Sequence, residues 1–525
     1  MSRSERVAAC VLTLCGESQC NRRKINKTRI AVDNRSYIVA VDVGSSEVVV
    51  AVGSPGEGGV LEVVTVVSEP TDGVSAGLVD NSKSVGQALR RARERAEQEA
   101  RIAITDAYVG ISGKFVRCAR YTDHVFVEDV ENCISQRDVN ALMERMRNVK
   151  AADGEVIMDL FPLSYKGDAG AEMKNPVGCY SKQLSSTYNF ILCEHMAKDR
   201  LRRVFLDAGI RIRGMFANAA VMADSVVSTD EKEEGVAVVD IGGGVTDVAV
   251  YYGGALRYIA SIPIGGSAVN ADIRAYGIPE KQVEKLKKRY GTAVADLTPD
   301  DIIQVRNSSR SLKSILRLNL AAVIEARMTD IAEYVWNEIR DAGFGKKLSA
   351  GIVLTGGGAA LKSVDELFRR VTGQDVRVAC AEMGVATESL EKVSSPASTV
   401  AVSLLLRGAQ TGACPVGVLH VEEPVKVEEP AAAEEPATVN DRYGAAAREA
   451  AKGPAAAAAP KAETPEPAAT EPSKPSKSSK SYEDEDDGDD DISTGSGWLS
   501  NIFGKVREAF DDAFKKPDDD GDGEW

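Results

Sequence analysis

The chain has 525 residues, with 64 Lys and Arg against 79 Asp and Glu and a formal net charge of −15. That balance argues against nucleic acid as a partner, because a general nucleic-acid binder needs a basic face. Much of the acidity lies in two tail clusters, 483–491 and 518–524. Nine cysteines without a CxxC pair suit reduced thiols rather than a disulfide framework. Cys10, Cys15 and Cys20 are evenly spaced but lack a fourth ligand, and His124, His195 and His420 do not cluster. No run reaches the ~18 apolar residues that a membrane-spanning helix needs. Residues 1–16 imitate a signal peptide, but the apolar stretch is short and Leu14 stands before Cys15. We read 1–36 as a disordered N-terminal extension or a wrongly chosen start.

Ordered patterning begins near Tyr37. Residues 37–53 predict a strand, a tight polar turn and a second strand, and 61–70 continue the sheet. Helical spacing runs from Val85 to Arg101. Strands are predicted over 107–111, 115–127, 155–165 and 187–193. Helices are predicted over 135–148, with Ser135 as its cap, and near 196–208. Residues 236–266 repeat the first pattern: strand, glycine-rich turn, strand, third strand. Helices follow at 279–290 and 312–341, then a buried strand, glycine turn and helix over 351–373, and an apolar helix over 396–407. From 408 to 495 the chain is rich in Pro, Ala, Glu, Ser and Lys without periodicity, the composition of a disordered linker.

A polyphosphate needs converging backbone N–H groups and no side chains in the way. Gly44-Ser45-Ser46 and Gly242-Gly243-Gly244 supply two such turns after apolar strands. Asp42 and Asp240 precede them, and two facing carboxylates can hold Mg²⁺ mostly through its waters. Thr246 and Asp247 continue the second turn, and Gly356-Gly357-Gly358 forms a third after an apolar strand. Any one such turn could simply connect a hairpin; three in this order, two with matching aspartates, point to a nucleotide.

The segments DVGSSEVVVAVG, DIGGGVTDVAVYYGG and GIVLTGGGAAL resemble the phosphate-1, phosphate-2 and adenosine motifs of the actin/Hsp70/sugar-kinase superfamily. Within it, residues 37–407 resemble the FtsA family. KNPVGCYSKQLSSTYNFILC, GALRYIASIPIGG, VEKLKKRYG and VIEARMTDIAEYVWNEI each resemble FtsA segments. The resemblance implies an α/β fold of two actin-like lobes around ATP and Mg²⁺, which suits a cytosolic chain. Lobe one would comprise 37–103 and 195–230, and an FtsA-type, SHS2-like subdomain would be inserted at 104–194. Lobe two would span 231–407, with its smaller subdomain at about 270–325. It also implies that Glu284 and Lys287, three apart and thus on one helix face, contact ribose and adenine. The family places a water-orienting acidic or amide residue where this chain has Asn218, and a threonine is usual at Val245. Asparagine cannot act as a base, so ATP binding with slow or negligible turnover is expected.

Residues 496–516 return to helical periodicity. Trp498, Leu499, Ile502, Phe503, Val506, Phe510 and Phe514 fall on one face, and charges lie mostly opposite or flanking. Such a helix orders on lipid or on a partner protein; the FtsA resemblance favours inner-membrane lipid, ahead of an acidic tail at 517–525. The resemblance further implies self-association into filaments, anchoring of the tubulin-like FtsZ through its C-terminal peptide, and recruitment of later divisome proteins at the cytoplasmic face of the division site. Arg306, Lys313 and Arg317 are basic candidates for docking that peptide. Two rivals stand beside this reading. A sugar- or acetate-kinase-like phosphotransferase leaves 496–516 unexplained, and a pilus-assembly scaffold normally lacks so long a linker and terminal helix.

Overall fold

The computed structural model describes residues 36–411 except 171, 276 and 307–311, together with 417 and 418; the side chains of Glu57 and Arg306 lie outside the description. Most of the predicted linker, the helix over 496–516 and the cysteines at 10, 15 and 20 fall outside the described residues. The linker's first residues are ordered, however: 408–411 complete helix Thr399–Thr411, and Gly417–Val418 form a strand held by pairing with Ile102–Ala103.

Two five-stranded sheets share one topology. The first runs Arg211–Ala217, Asp106–Ile111, Ile38–Val43, Glu47–Pro55, Leu61–Pro70. The second runs Val376–Val378, Ile352–Thr355, Val236–Ile241, Thr246–Tyr252, Ala255–Ile262. In each, the three meander strands pair antiparallel and the outer pairings are parallel. The reason is visible in the central strands. Ile38–Val41 and Val236–Val239 are fully buried runs of branched and small residues, as strands covered on both faces require.

Alternation along Val236–Ile241 divides the two cores. Val236 and Val238 pack into the cluster that fills the first lobe, whereas Ala237, Val239 and Ile241 face the second lobe's own cluster. In the first lobe, helix Ser82–Ala100 lays Val85, Leu89, Ala92 and Ala96 on the meander. Helix Thr399–Thr411 covers strands Ile38–Val43 and Glu47–Pro55. Gly408 allows this approach: a Cβ there would lie 2.5 Å from the Tyr108 ring. In the second lobe, helix Arg317–Asp341 buries Leu320, Ile324, Met328, Ile331 and Val335.

Between Ile111 and His195 the chain builds a separate antiparallel sheet, ordered Glu172–Met173, Glu155–Lys166, Gln183–Glu194, Val116–Phe126. Helix Gln136–Arg147 closes its core with Val139, Leu142 and Met146 against Leu184, Tyr188 and Phe190. Strand Val116–Phe126 also touches the second lobe, where Cys118 Sγ lies 3.6 Å from Ile259 O. Ser135 begins the helix as predicted, with the buried Asp138 accepting from Ser135 N–H at 2.8 Å and from its hydroxyl at 2.7 Å.

One predicted helix begins late. Residues 312–316 form strand Leu312–Leu316, paired antiparallel with Ile302–Arg306, and the helix starts at Arg317. Alternation explains the difference: Ile315 opposes Ile303, and both are buried, while Leu312, Ser314 and Leu316 face outward. A five-residue alternating run preceding a long helix reads as one extra helical turn until its partner strand is seen.

Replacing Asp138 with Ala removes the acceptor from the buried start of helix Gln136–Arg147. Urea unfolding should show a loss of about 2 kcal/mol, and Asp138→Asn should recover part of it.

Candidate nucleotide-binding site

Each central strand ends in an aspartate and turns tightly into the next. Gly44 N–H donates to Glu47 O at 3.0 Å, and Gly242 N–H donates to Val245 O at 2.9 Å, so the two turns are closed by the same bond. Among the described residues, the N–H groups of Ser45, Ser46, Gly243 and Gly244 have no backbone acceptor. The turns meet face to face. A Cβ on Gly243 would lie 2.0 Å from Ser46 Oγ, and one on Gly244 would lie 2.6 Å from Ser45 Oγ. Side chains at 243 and 244 would force the lobes apart.

Asp42, Asp240 and Asp247 lie close enough to repel one another. Burial is the main reason that the Asp42 carboxyl is raised to about 6; the Asn218 amide opposes this, and Asp247 and Glu47 add repulsion. Asp247 is also raised to about 6 by burial, against the pull of Ser112 and Ser261 hydroxyls. Asp240 is pushed well above the ordinary range by burial and by both other aspartates. Asp42 and Asp240 nonetheless keep some solvent access. Among the described residues no three His, Cys, Asp or Glu side chains are arranged to hold a metal directly. This donor set, rich in charge and open to water, fits a hydrated divalent cation better than a stripped one. Ser112 Oγ donates to Asp247 Oδ2 at 2.5 Å, a bond from the end of strand Asp106–Ile111 to the other lobe.

The third turn wraps the second aspartate. Gly356 has φ of +84°, and a Cβ there would lie 1.8 Å from Asp240 Oδ1. Gly357 is open, its nearest neighbour 3.9 Å away, and Gly358 packs on Ile241. On the opposite flank, helix Gly266–Arg274 joins the second turn through Gly266 N–H to Gly242 O at 2.9 Å and Ser267 N–H to Gly243 O at 2.7 Å. Lys287 Nζ donates to Gly266 O at 3.1 Å and pairs with Glu284 at 2.8 Å. Burial works against the Glu284 carboxylate, but Lys287 and Asn270 outweigh it and hold its pKa below the usual range. The predicted pair thus stands beside the second turn.

Two predicted side chains are placed differently from expectation. Asn218 is buried, and its Nδ2 donates to Asp42 Oδ1 at 2.9 Å. Its Oδ1 has no protein partner and is turned toward Gly110. The amide therefore holds Asp42. The Thr246 hydroxyl donates to Ile264 O at 2.8 Å inside the core, which removes that side chain from the phosphate-facing set. Sequence reasoning missed Ser112 and Ser261: no motif surrounds Ser112, and the segment GALRYIASIPIGG that contains Ser261 does not single that residue out; only the sheet topology brings both to Asp247.

Comparison with known proteins follows this geometry. A family model described as "Cell division protein FtsA" matches residues 237–403, and one described as "SHS2 domain inserted in FTSA" matches 113–192. The chain is 32% identical over 393 residues to the cell division protein FtsA of Escherichia coli (strain K12), covering 73% of this chain and 92% of that protein. The chain belongs to the FtsA family. The FtsA of Pseudomonas aeruginosa is 31% identical over 384 residues, with 72% and 91% coverage. That of Bacillus subtilis is 30% identical over 352 residues, with 66% and 79% coverage. Among solved structures, a PilM-PilN type IV pilus biogenesis complex is similar at TM-score 0.49 and 16% identity, covering 71% of this chain and 98% of that one. MreB5 of Spiroplasma citri bound to ADP is similar at TM-score 0.42 and 14% identity, covering 72% and 97%. Family membership makes the protein a bacterial cell-division protein, acting in the division machinery. The kinase and pilus-scaffold readings are not favoured.

For an FtsA-family chain the second candidate surface is the hairpin Ile302–Leu316. Of its predicted basic candidates, Arg317 is mostly buried, with Nε donating to Tyr290 O at 3.3 Å and a guanidinium nitrogen 3.5 Å from Asp301. It is a structural cation. Lys313 is partly buried and engaged with neighbours, and the Arg306 side chain lies outside the description. The exposed groups are instead apolar: Ile302 and Leu312 are 63% and 68% exposed, and Leu316 and Leu318 flank them. Ile302 and Leu316 are direct cross-strand partners.

Two substitutions check the site. Gly356→Ala should cost at least ~2 kcal/mol by adding strain at positive φ and overlap with Asp240. Gly357→Ala should stay within about 0.5 kcal/mol, both read from thermal unfolding. Because folding raises the Asp42 pKa, the ligand-free protein favours the protonated carboxyl and this contribution is lost as pH rises from about 4 through about 6. Asp42→Asn should therefore gain stability relative to wild type across that window, by on the order of 3 kcal/mol, and level off above it. A flat difference between pH 4 and 7.5 would contradict the burial argument.

Proposed function

We propose that this FtsA-family chain is an ATP-dependent scaffold that ties FtsZ to the cytoplasmic face of the inner membrane and recruits later divisome proteins. The observation that supports it is the meeting of the Ser45-Ser46 turn with the Gly243-Gly244 turn, each behind an aspartate. Asp42 and Asp240 would hold Mg²⁺ through water, and the unpaired N–H groups of the two turns would take the phosphates. Glu284 and Lys287 would take ribose and adenine beside Gly266, and Gly356 to Gly358 would border the nucleoside end. The magnesium ion would supply counter-charge to the aspartates and the phosphates together. Groups from both lobes would then share one ligand and favour the closed arrangement. Asn218 is neutral and committed to Asp42, so it holds the carboxylate rather than serving as a base, and turnover is slow or absent.

A closed subunit can stack head to tail into filaments. Residues 496–516 provide the membrane helix, with Trp498, Phe503 and Phe510 in its apolar stripe. A filament presents many such helices, so weak single attachments add up. The FtsZ C-terminal peptide docks on the apolar outer face of hairpin Ile302–Leu316, where large side chains remain exposed around Ile302 and Leu312. Domain roles follow the mapped segments, with the inserted sheet between Ile111 and His195 as a contact module.

A fluorescent FtsZ C-terminal peptide should bind the full chain with Mg-ATP present. The pair Ile302→Glu and Leu316→Glu should weaken it at least ~10-fold, as loss of a hot spot does, while ATP affinity stays unchanged. No binding by wild type refutes the FtsZ assignment; unchanged binding by the double variant refutes the hairpin.

A further inference from the structure

The first lobe has a face that neither the cleft nor the hairpin uses. Helices Ser82–Ala100 and His195–Asp207 lie side by side, with Arg90 Nη1 donating to Asp207 O at 3.4 Å and Arg93 Nη1 to Ala208 O at 3.1 Å. Across 82–101 and 195–207, Lys and Arg outnumber Asp and Glu ten to five, in a chain whose net charge is −15. Arg91 and Arg95 pair with Glu69, Arg93 with Glu97, Arg200 with Asp80 and Arg203 with Asp207. Among the described residues, Lys83, Arg90, Arg101, Lys198 and Arg202 have no acidic partner.

These five cations are arranged, not scattered. Lys83 and Arg90 are seven residues apart, close to two helical turns, so they share one stripe of helix Ser82–Ala100, on which Glu94 follows, and Arg101 stands just past the helix end. Lys198 and Arg202 follow at a four-residue step on the neighbouring helix, and the next step is Leu206, which is 68% exposed. Strand Gly417–Val418, at the end of the described residues, pairs with Ile102–Ala103, directly after Arg101.

We propose that this face is a second membrane contact, docking the folded body on anionic phospholipid headgroups while Leu206 dips toward the interface. It rests on reading 496–516 as the membrane helix. That helix is flanked by acidic clusters that anionic lipid repels, so it offers little electrostatic attraction of its own. Cations without an acidic partner on the body supply the missing attraction. Their pull works over roughly one Debye length, about 8 Å at physiological salt, so the face acts once the body lies against the bilayer.

The test is vesicle co-sedimentation of the full chain, with phosphatidylglycerol-containing and pure phosphatidylcholine vesicles. The variant Lys83→Gln, Lys198→Gln, Arg202→Gln breaks no described ion pair, and its thermal unfolding should match wild type. Each removed cation should cost roughly fivefold in partitioning to anionic vesicles, on the order of a hundredfold for the three, with no change on phosphatidylcholine. Raising the salt should erase the difference. Equal binding of variant and wild type to anionic vesicles at low salt overturns the proposal. So does an unchanged vesicle affinity accompanied by lost retention on RNA or an acidic peptide, which would assign the face to another polyanion. A separate variant, Phe503→Asp with Phe510→Asp, tests the tail helix: if it binds both vesicle types like wild type, the helix reading fails, whatever the basic face does.

Discussion

Everything in this fold converges on the contact between two glycine turns. The turns can touch because Gly243 and Gly244 have no side chains where Ser45 and Ser46 approach. The same contact brings three aspartates into mutual range; burial raises all three, and repulsion from the neighbouring carboxylates adds to it at Asp42 and Asp240. A site that holds its carboxylates under such repulsion is one that gains from a cation. The cost is local and arises from charge held in place by two rigid sheets. The neutral Asn218 amide and the Ser112 and Ser261 hydroxyls offset part of it.

The duplicated sheets explain why the site forms at all. In each lobe a buried meander carries its aspartate to the end of the central strand, and the parallel strand beside it carries the next element of the site. In the second lobe that neighbour ends at Thr355 and delivers Gly356 to Asp240. In the first it ends at Ile111 and delivers Ser112 to Asp247. One topology thus places different chemistry at corresponding positions.

The remaining surfaces divide the labour. The inserted sheet leaves from and returns to the first lobe yet touches the second, with Asn189 Nδ2 donating to Leu256 O at 3.4 Å. The hairpin of the second lobe exposes apolar side chains at the far end of a long helix. The paired helices of the first lobe present the basic stripe beside strand Gly417–Val418. Cleft, hairpin and stripe have different chemistries and no residue in common, so each can be altered without the others.

The pair Glu284 and Lys287 comes from the family resemblance alone, but the sequence carries in plain view the two aspartate-ended turns, the third glycine turn and the repeat that relates the lobes. These are legible because they depend on local rules: branched strands, glycine where the backbone must be approached, and helical spacing. Tertiary structure alone decided which polar groups are free. Thr246 and Arg317 look available in the sequence, but Ile264 O takes the hydroxyl and Tyr290 with Asp301 takes the guanidinium. Strand Leu312–Leu316 needed its partner Ile302–Arg306 to be recognised. The physical reason is range. Backbone preference acts between residues a few positions apart, whereas burial and hydrogen-bond partners come from segments tens to hundreds of residues away, as with Asn218 and Asp42.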